Sequence, residues 1–308
     1  TGDTLCPKEH QIVLERTQFP EPVIDQALEP KTKLDQEKLE GALKRLMQED
    51  PSFRSRIDVE TGQNIISGMG ELHLEVIVDR LKREFRVECK AGTPRVAYRE
   101  TITQSADSEA RVEQQLEGKE QFAFCKIHLE PLEAGGGFEF KNNLSDEEFP
   151  TLFADALEQG IHDAMNNGVL AGFSLIDLKV TLVEGKYNEE SSTEVAFTIA
   201  GVNAIREGAM KAKPNLLEPT MKIEVVTPVS FTGDVIGDLN ARHGRIRGME
   251  EQGGVQVVMA EAPLAEMFGY STRLRSLSQG RASYTMHFSH YNSVSESTKK
   301  ALTGESVN

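Results

Sequence analysis

The hydrophobic periods run in the same order at both ends of the chain, and that order constrains the fold more than any motif. Near the start, "FPEPVIDQALEP" reads as a strand punctuated by proline. "TKLDQEKLEGALKRLMQEDP" then places Leu34, Leu39, Leu43, Leu46 and Met47 on one helical face, with Pro51 as the stop. "FRSRIDVETGQNIISGMG" reads as two strands around Thr61-Gly62. "ELHLEVIVDRLKREF" groups Leu74, Ile77, Val78 and Leu81 on a second helix, and "RVECKA" closes as a strand. The last block repeats the order in different letters: strand "MKIEVVTP", helix "FTGDVIGDLNARHG" from Thr232 to Gly244, a hairpin turning at Gly253-Gly254, helix "LAEMFGYSTRLRSLSQG" to Gly280, strand "RASYTMHFSHY". βαββαβ, twice, is the split βαβ order of a ferredoxin-like sandwich.

The middle differs. Strands "RVAYRETI", "FAFCKIHLEPLE" and "FEFKNN" precede helix "FPTLFADALEQGIHDAMNNG", strand "SLIDLKVTLVEG" and helix "STEVAFTIAGVNAIREGAMKA". A helix between strands reads as a βαβ crossover, hence an α/β layer. "KAKPNLLEP" reads as a proline-bearing linker to the last block.

Charge is uneven. Of the formal −15, the middle block carries roughly −11 and the last block is about neutral. A general polyanion binder held by diffuse positive charge is excluded by that balance. The positives of the last block cluster at Arg242, Arg245 and Arg247, then Arg273, Arg275 and Arg281. Such a cluster is either a solvated face or a patch aimed at phosphates. Three widely spaced cysteines, Cys6, Cys89 and Cys125, make no zinc spacing and fit a reducing compartment. No signal peptide and no apolar run of transmembrane length occurs, and the opening "TGDTLCPKEHQIVLE" reads as the end of a β-unit in a longer protein.

No catalytic constellation and no metal site emerges. In "GELHLE", Glu71 and Glu75 share a helical face while His73 points elsewhere. "EAGGGF" lacks the following Gly-Lys-Ser/Thr and helix of a phosphate loop, and "DVIG" is a two-letter match to DxxG with no companion motif.

"SGMGELHLEVIVDRLKREFRVECKAGTPRVAYRET" closely resembles the third domain of elongation factor G, the translational GTPase of ribosomal translocation. "LLEPTMKIEVV", "TGDVIGDLNARHGRIRG" and "PLAEMFGYSTRLRSLSQGRASYTMHF" resemble its fifth domain; the likeness is weaker between Thr103 and Leu170. The resemblance implies an α+β multi-domain chain: 1–13 the tail of a preceding β-barrel domain, 14–90 a ferredoxin-like domain, 91–218 an α/β arm like the second domain of ribosomal protein S5, with a left-handed crossover, and 219–308 a second ferredoxin-like domain with a C-terminal tail. It further implies a monomer in the cytoplasm, bound to the ribosome (16S and 23S rRNA, tRNA and mRNA) and to neither membrane nor DNA. GTP and Mg2+ would belong to an N-terminal domain outside this chain, which would itself be no enzyme.

By the same resemblance the tip of the arm contacts tRNA and mRNA through two loops. "LEGKEQFAFCKI" stands where the family has a Gly-rich run; Gln121 and Phe122 match, Lys119 stands for the family's Arg, and Glu117 and Glu120 replace glycines. "GKYNEESSTE" stands for the family's "GSYHDVDSSE", with Gly185, Tyr187, Ser192 and Glu194 matching, Asn188 in place of His, and Glu189 beside it. Asn keeps hydrogen-bonding capacity but loses stacking and charge. Ser191 or Ser192 is expected to cap the following helix, with Glu194 completing a capping box if Ser191 is the cap. In the last domain Arg242, His243, Arg245 and Arg247 are the candidate rRNA contacts. The changed tip leaves three readings open: a translocation factor, a divergent paralogue acting in ribosome recycling, and a ribosomal protection protein.

Overall fold

The computed structural model describes residues 22–58, 63–116 and 119–304, with backbone alone for Leu116 and Lys119. The expected barrel tail at 1–13, Cys6, the Thr61-Gly62 turn and Glu117 lie outside the described residues. The chain divides into two compact units, Thr1–Ala97 with Pro219–Ser289, and Tyr98–Glu218 with His290–Asn308.

In the first unit, β1 (Ile24–Pro30), α1 (Lys33–Glu49), β2 (Arg54–Ile57), β3 (Asn64–Gly68), α2 (Glu71–Arg83) and β4 (Cys89–Ala91) form a sheet in the order β2-β3-β1-β4, all antiparallel. That is the ferredoxin-like order. Leu39, Leu43 and Leu46 of α1 and all four expected residues of α2 are buried with Ile24, Leu28 and Ile66 of the sheet, each contributing on the order of 1.5–3 kcal/mol. Leu34, expected on the same face, is 60% exposed, and Met47 is only partly buried. Thr32 is the N-cap and accepts from Asp35 N–H, so Asp35 turns inward at the first turn where Leu34 turns out.

The other ferredoxin-like sheet has the order β12-β13-β11-β14, from β11 (Pro214–Pro228), α5 (Thr232–Ala241), β12 (Arg245–Gln252), β13 (Val255–Pro263), α6 (Tyr270–Leu277) and β14 (Ser283–Ser293). Gln252 pairs with Val255, leaving Gly253-Gly254 as a two-residue turn with both φ positive, at 59° and 85°; that is the primed hairpin turn for which glycine is suited. Two expectations are corrected. "KAKPNLLEP" is not a linker: β11 begins at Pro214, and Leu216 and Leu217 are buried. Pro219 falls between two ladders of β11, after its pairing with β6 (Arg99–Ile102) ends at Leu217 and before its pairing with β13 begins at Thr220. The expected single helix through Leu264–Gly280 is a 3-10 turn at Leu264–Met267 and then α6, broken at Gly269, whose φ is 70°. A short helix, α7 (Glu296–Thr303), follows where only a tail was expected.

The second unit is an α/β sandwich. Its sheet runs β7-β8-β10-β9, from β7 (Ala106–Leu116), β8 (Lys119–Pro131), β9 (Phe138–Asn142) and β10 (Leu178–Lys186). β9 and β10 pair in parallel across α3 (Thr151–Asn167), which is the crossover expected from the helix–strand pattern. "RVAYRETI" divides into β5 (Arg95–Val96), which pairs with β1, and β6, which pairs with β11. β7 is the strand that hydrophobic pattern misses, because its buried face is only Ser108, Ala110 and Val112. α4 (Glu194–Lys211) packs on α3 through two glycines. A Cβ on Gly160 would lie 2.1 Å from the Thr198 carbonyl oxygen, and one on Gly201 2.4 Å from that of Leu157. The helices thus touch backbone to backbone over a sheet face built of Val112, Ile127, Leu129, Val180 and Leu182. At the far end of α3, the wholly buried Glu100 carboxylate gathers the backbone N–H groups of Val169, Leu170, Ala171 and Phe173 at 2.6–3.1 Å. Four amide donors on one carboxylate satisfy its buried charge.

Candidate functional site

At one end of the second unit, the β10–α4 loop singled out by sequence meets strand β8 at Gln121 and Phe122. The ladder between β10 and β8 stops at Lys186 opposite Phe124. Beyond it, the backbone of Phe122 is met by the β10–α4 loop instead of a strand. Phe122 N–H donates to the Ser191 carbonyl at 2.9 Å, and Ser192 Oγ donates to the Phe122 carbonyl at 2.7 Å. Ser192 Oγ also accepts from Asn188 N–H at 2.9 Å, and Ser192 N–H donates to the Asn188 carbonyl at 2.9 Å. Thr193 Oγ1 donates to Gln121 Oε1 while accepting from Ala196 N–H. Thr193 is therefore the cap of α4, not Ser191 or Ser192; the serines are used by the clasp one step earlier in the chain.

Each expected tip residue has a definite station. Asn188 Oδ1 accepts from Glu190 N–H at 2.9 Å, an Asx turn that folds the loop. Its Nδ2 has no partner among the described residues. Tyr187 lies against Phe153 (centroids 5.6 Å) and Phe149 (6.4 Å), and 36% of it remains exposed. A Cβ on Gly185 would lie 2.5 Å from the Phe149 ring, so only glycine permits this packing. Arg111 stacks over Phe122 with its guanidinium carbon 5.8 Å from the ring centroid, and holds Glu113 through Nε at 2.9 Å. Glu189 is exposed, and Lys119 lies in β8 with its side chain outside the described residues. Between the loops runs a groove of about 830 Å³, whose walls include Glu113, Glu120, Gln121, Phe122, Tyr187 and Asn188. Sequence points to Ser192 as a cap candidate and a family match, but not as the joint to β8, since a serine in a polar loop carries no periodic signal of a long-range contact.

The basic cluster resolves into two kinds of arginine. Arg242 is mostly buried: Nε reaches Asp238 at 2.9 Å, Nη1 donates to the Glu266 and Phe268 carbonyls, and the guanidinium lies 5.3 Å from the Tyr270 centroid. Arg273 reaches the same Asp238 at 3.1 Å. These two brace α5 against α6. Tyr270, fully buried with its hydroxyl unpartnered among the described residues, has its pKa pushed far up by burial. Arg247 places Nε and Nη2 on Glu261 Oε2 at 2.9 and 2.6 Å. Arg245 is exposed and makes no side-chain bond among the described residues. His243 is exposed in the left-handed region, φ 57°, with Nδ1 3.5 Å from Glu266.

His73, set aside as a ligand, instead ties α2 down. Its Nδ1 accepts from Met69 N–H at 3.1 Å, which leaves the proton of the neutral ring on Nε2, facing Asp50 at 2.9 Å.

Two ferredoxin-like sandwiches that flank, in sequence, an α/β unit define a multi-domain α+β protein. Comparison with known proteins agrees in detail. The descriptions of elongation factor G domain III, domain IV and C-terminus match residues 19–93, 94–213 and 215–302 in turn. The chain belongs to the elongation factor G family. It is also similar to a crystal structure from Thermus thermophilus, with 36% identity and a TM-score of 0.72, covering 98% of this chain and 45% of that one. The chain thus spans about half the length of the protein it matches.

Proposed function

We propose that this chain is the ribosome-binding C-terminal part of a translational GTPase, and that it promotes movement of tRNA and mRNA by inserting its α/β arm toward the decoding centre of the small subunit. The observation that carries this is the clasped tip: the β10–α4 loop and the end of strand β8, far apart in sequence, form one surface bearing Phe122, Tyr187 and Asn188 at the end of a stiffly packed acidic unit. An acidic arm avoids adhering to RNA along its length and leaves contact to its end. The exposed Arg245 and His243 are the candidate contacts to large-subunit RNA. GTP hydrolysis belongs to a part of the whole protein outside this chain, because no phosphate-loop motif occurs in this sequence. The protein acts as a monomer in the cytoplasm.

One observation favours a second reading. Glu113 and Glu120 wall the tip groove where RNA phosphates would approach, and carboxylates there repel them. A paralogue with a specialised duty, such as recycling of ribosomal subunits, fits that acidity. The test uses the full-length protein on ribosomes: single-round translocation supports the first reading, whereas subunit splitting without translocation supports the second.

A further inference from the structure

We propose that Ser192 is the positioning residue of the tip, the side chain that joins the β10–α4 loop to strand β8 as one contact surface; this rests on the ribosome-contact reading above. β8 runs past the end of β10, so the outward backbone edge at Phe122 has lost its strand partner. β7 holds the other edge there, opposite Glu113, but the outward N–H and C=O of Phe122 need other partners. Ser192 takes the strand's place with one oxygen used in both directions. It donates to the Phe122 carbonyl at 2.7 Å and accepts from Asn188 N–H at 2.9 Å. The residue before it supplies the carbonyl that receives Phe122 N–H. The position of Asn188 is thereby tied to that of Phe122, about 70 residues away in the chain. No other side chain among the described residues bonds both the backbone of strand β8 and that of the β10–α4 loop. Alanine removes both bonds, frees the Asn188 amide and leaves Phe122 with half its edge open. Threonine keeps the hydroxyl.

The experiment uses the full-length protein unaltered, as Ser192→Ala and as Ser192→Thr. Amide hydrogen exchange reads the clasp; single-round translocation and ribosome-stimulated GTP hydrolysis read its use. In S192A, exchange at Asn188 accelerates and translocation slows about tenfold, the scale of one or two lost ordering interactions. GTP hydrolysis stays within about twofold, and S192T recovers translocation. A general loss of folding would depress both activities together. Unchanged exchange at Asn188 in S192A overturns the clasp, and accelerated exchange with unaltered translocation overturns its role. An unaltered protein that binds no ribosome defeats the ribosome-contact reading instead, and the exchange at Asn188 then decides the clasp alone.

Discussion

His243 holds a left-handed backbone, φ 57°, at the turn that follows α5, where Gly244 N–H closes onto the Leu239 carbonyl. Glycine takes that conformation without cost, and a β-carbon costs up to about 1 kcal/mol. A side chain kept there against its backbone preference, and exposed beside Arg245, suits a contact role. His243→Gly is therefore expected to raise thermal or denaturant stability by up to about 1 kcal/mol while weakening ribosome binding. Equal binding by the variant removes His243 from the interface. Titration offers a second check at this scale. Asp146 accepts from Thr151 Oγ1 and Thr151 N–H, both at 2.7 Å, and these bonds, the side-chain one foremost, hold its pKa below the ordinary 3.8. A carboxylate with a depressed folded pKa contributes stability above its unfolded value and loses it as pH falls through the folded one. The Thr151 amide resonance should thus titrate with a midpoint below 3.8, and Asp146→Asn should abolish that step.

The α3–α4 pair shows what packing adds to helix propensity. Gly201 is a poor helix former on its own, worth about 1 kcal/mol against alanine, yet a Cβ there would lie 2.4 Å from the Leu157 carbonyl. Gly201→Ala is expected to destabilise the second unit by about 1–3 kcal/mol, because the overlap exceeds the propensity gain. Gly237→Ala in α5 is the control: nothing lies within 4 Å of its Cβ position, so the denaturation midpoint should rise rather than fall. Helices α1, α2, α3 and α4 were legible from their periodic leucines, alanines and phenylalanines. β7 was not, because small residues at Ser108 and Ala110 bury almost as little as polar ones. The start of β11 was not, because proline marks a linker and a ladder switch alike. Leu34 was misplaced because a residue in the first turn obeys the cap before it obeys the stripe. At the tip, residue types and loop positions were readable, and the family likeness gave them an address. Their joining by Ser192 depends on a contact between residues 122 and 192 that no local pattern encodes.

For the whole molecule, charge placement matters more than net charge. Arg245→Ala should flatten the salt dependence of ribosome binding by a slope of about one, as for one lost phosphate contact. Arg247→Ala should change it less, since Glu261 already holds that guanidinium; a slope unchanged from the parent in both variants would return the cluster to a solvated face. The central claim concerns where the tip goes. A hydroxyl-radical source tethered at Asn188→Cys can report this directly, with Cys6 replaced by serine. Cys125 is buried, its pKa pushed up to about 12 by that burial, and Cys89 is buried with its pKa raised likewise, so neither competes for the label. Bound to the ribosome, the labelled full-length protein should cleave small-subunit rRNA at the decoding centre. Cleavage confined elsewhere, with the protein still bound, would contradict the account.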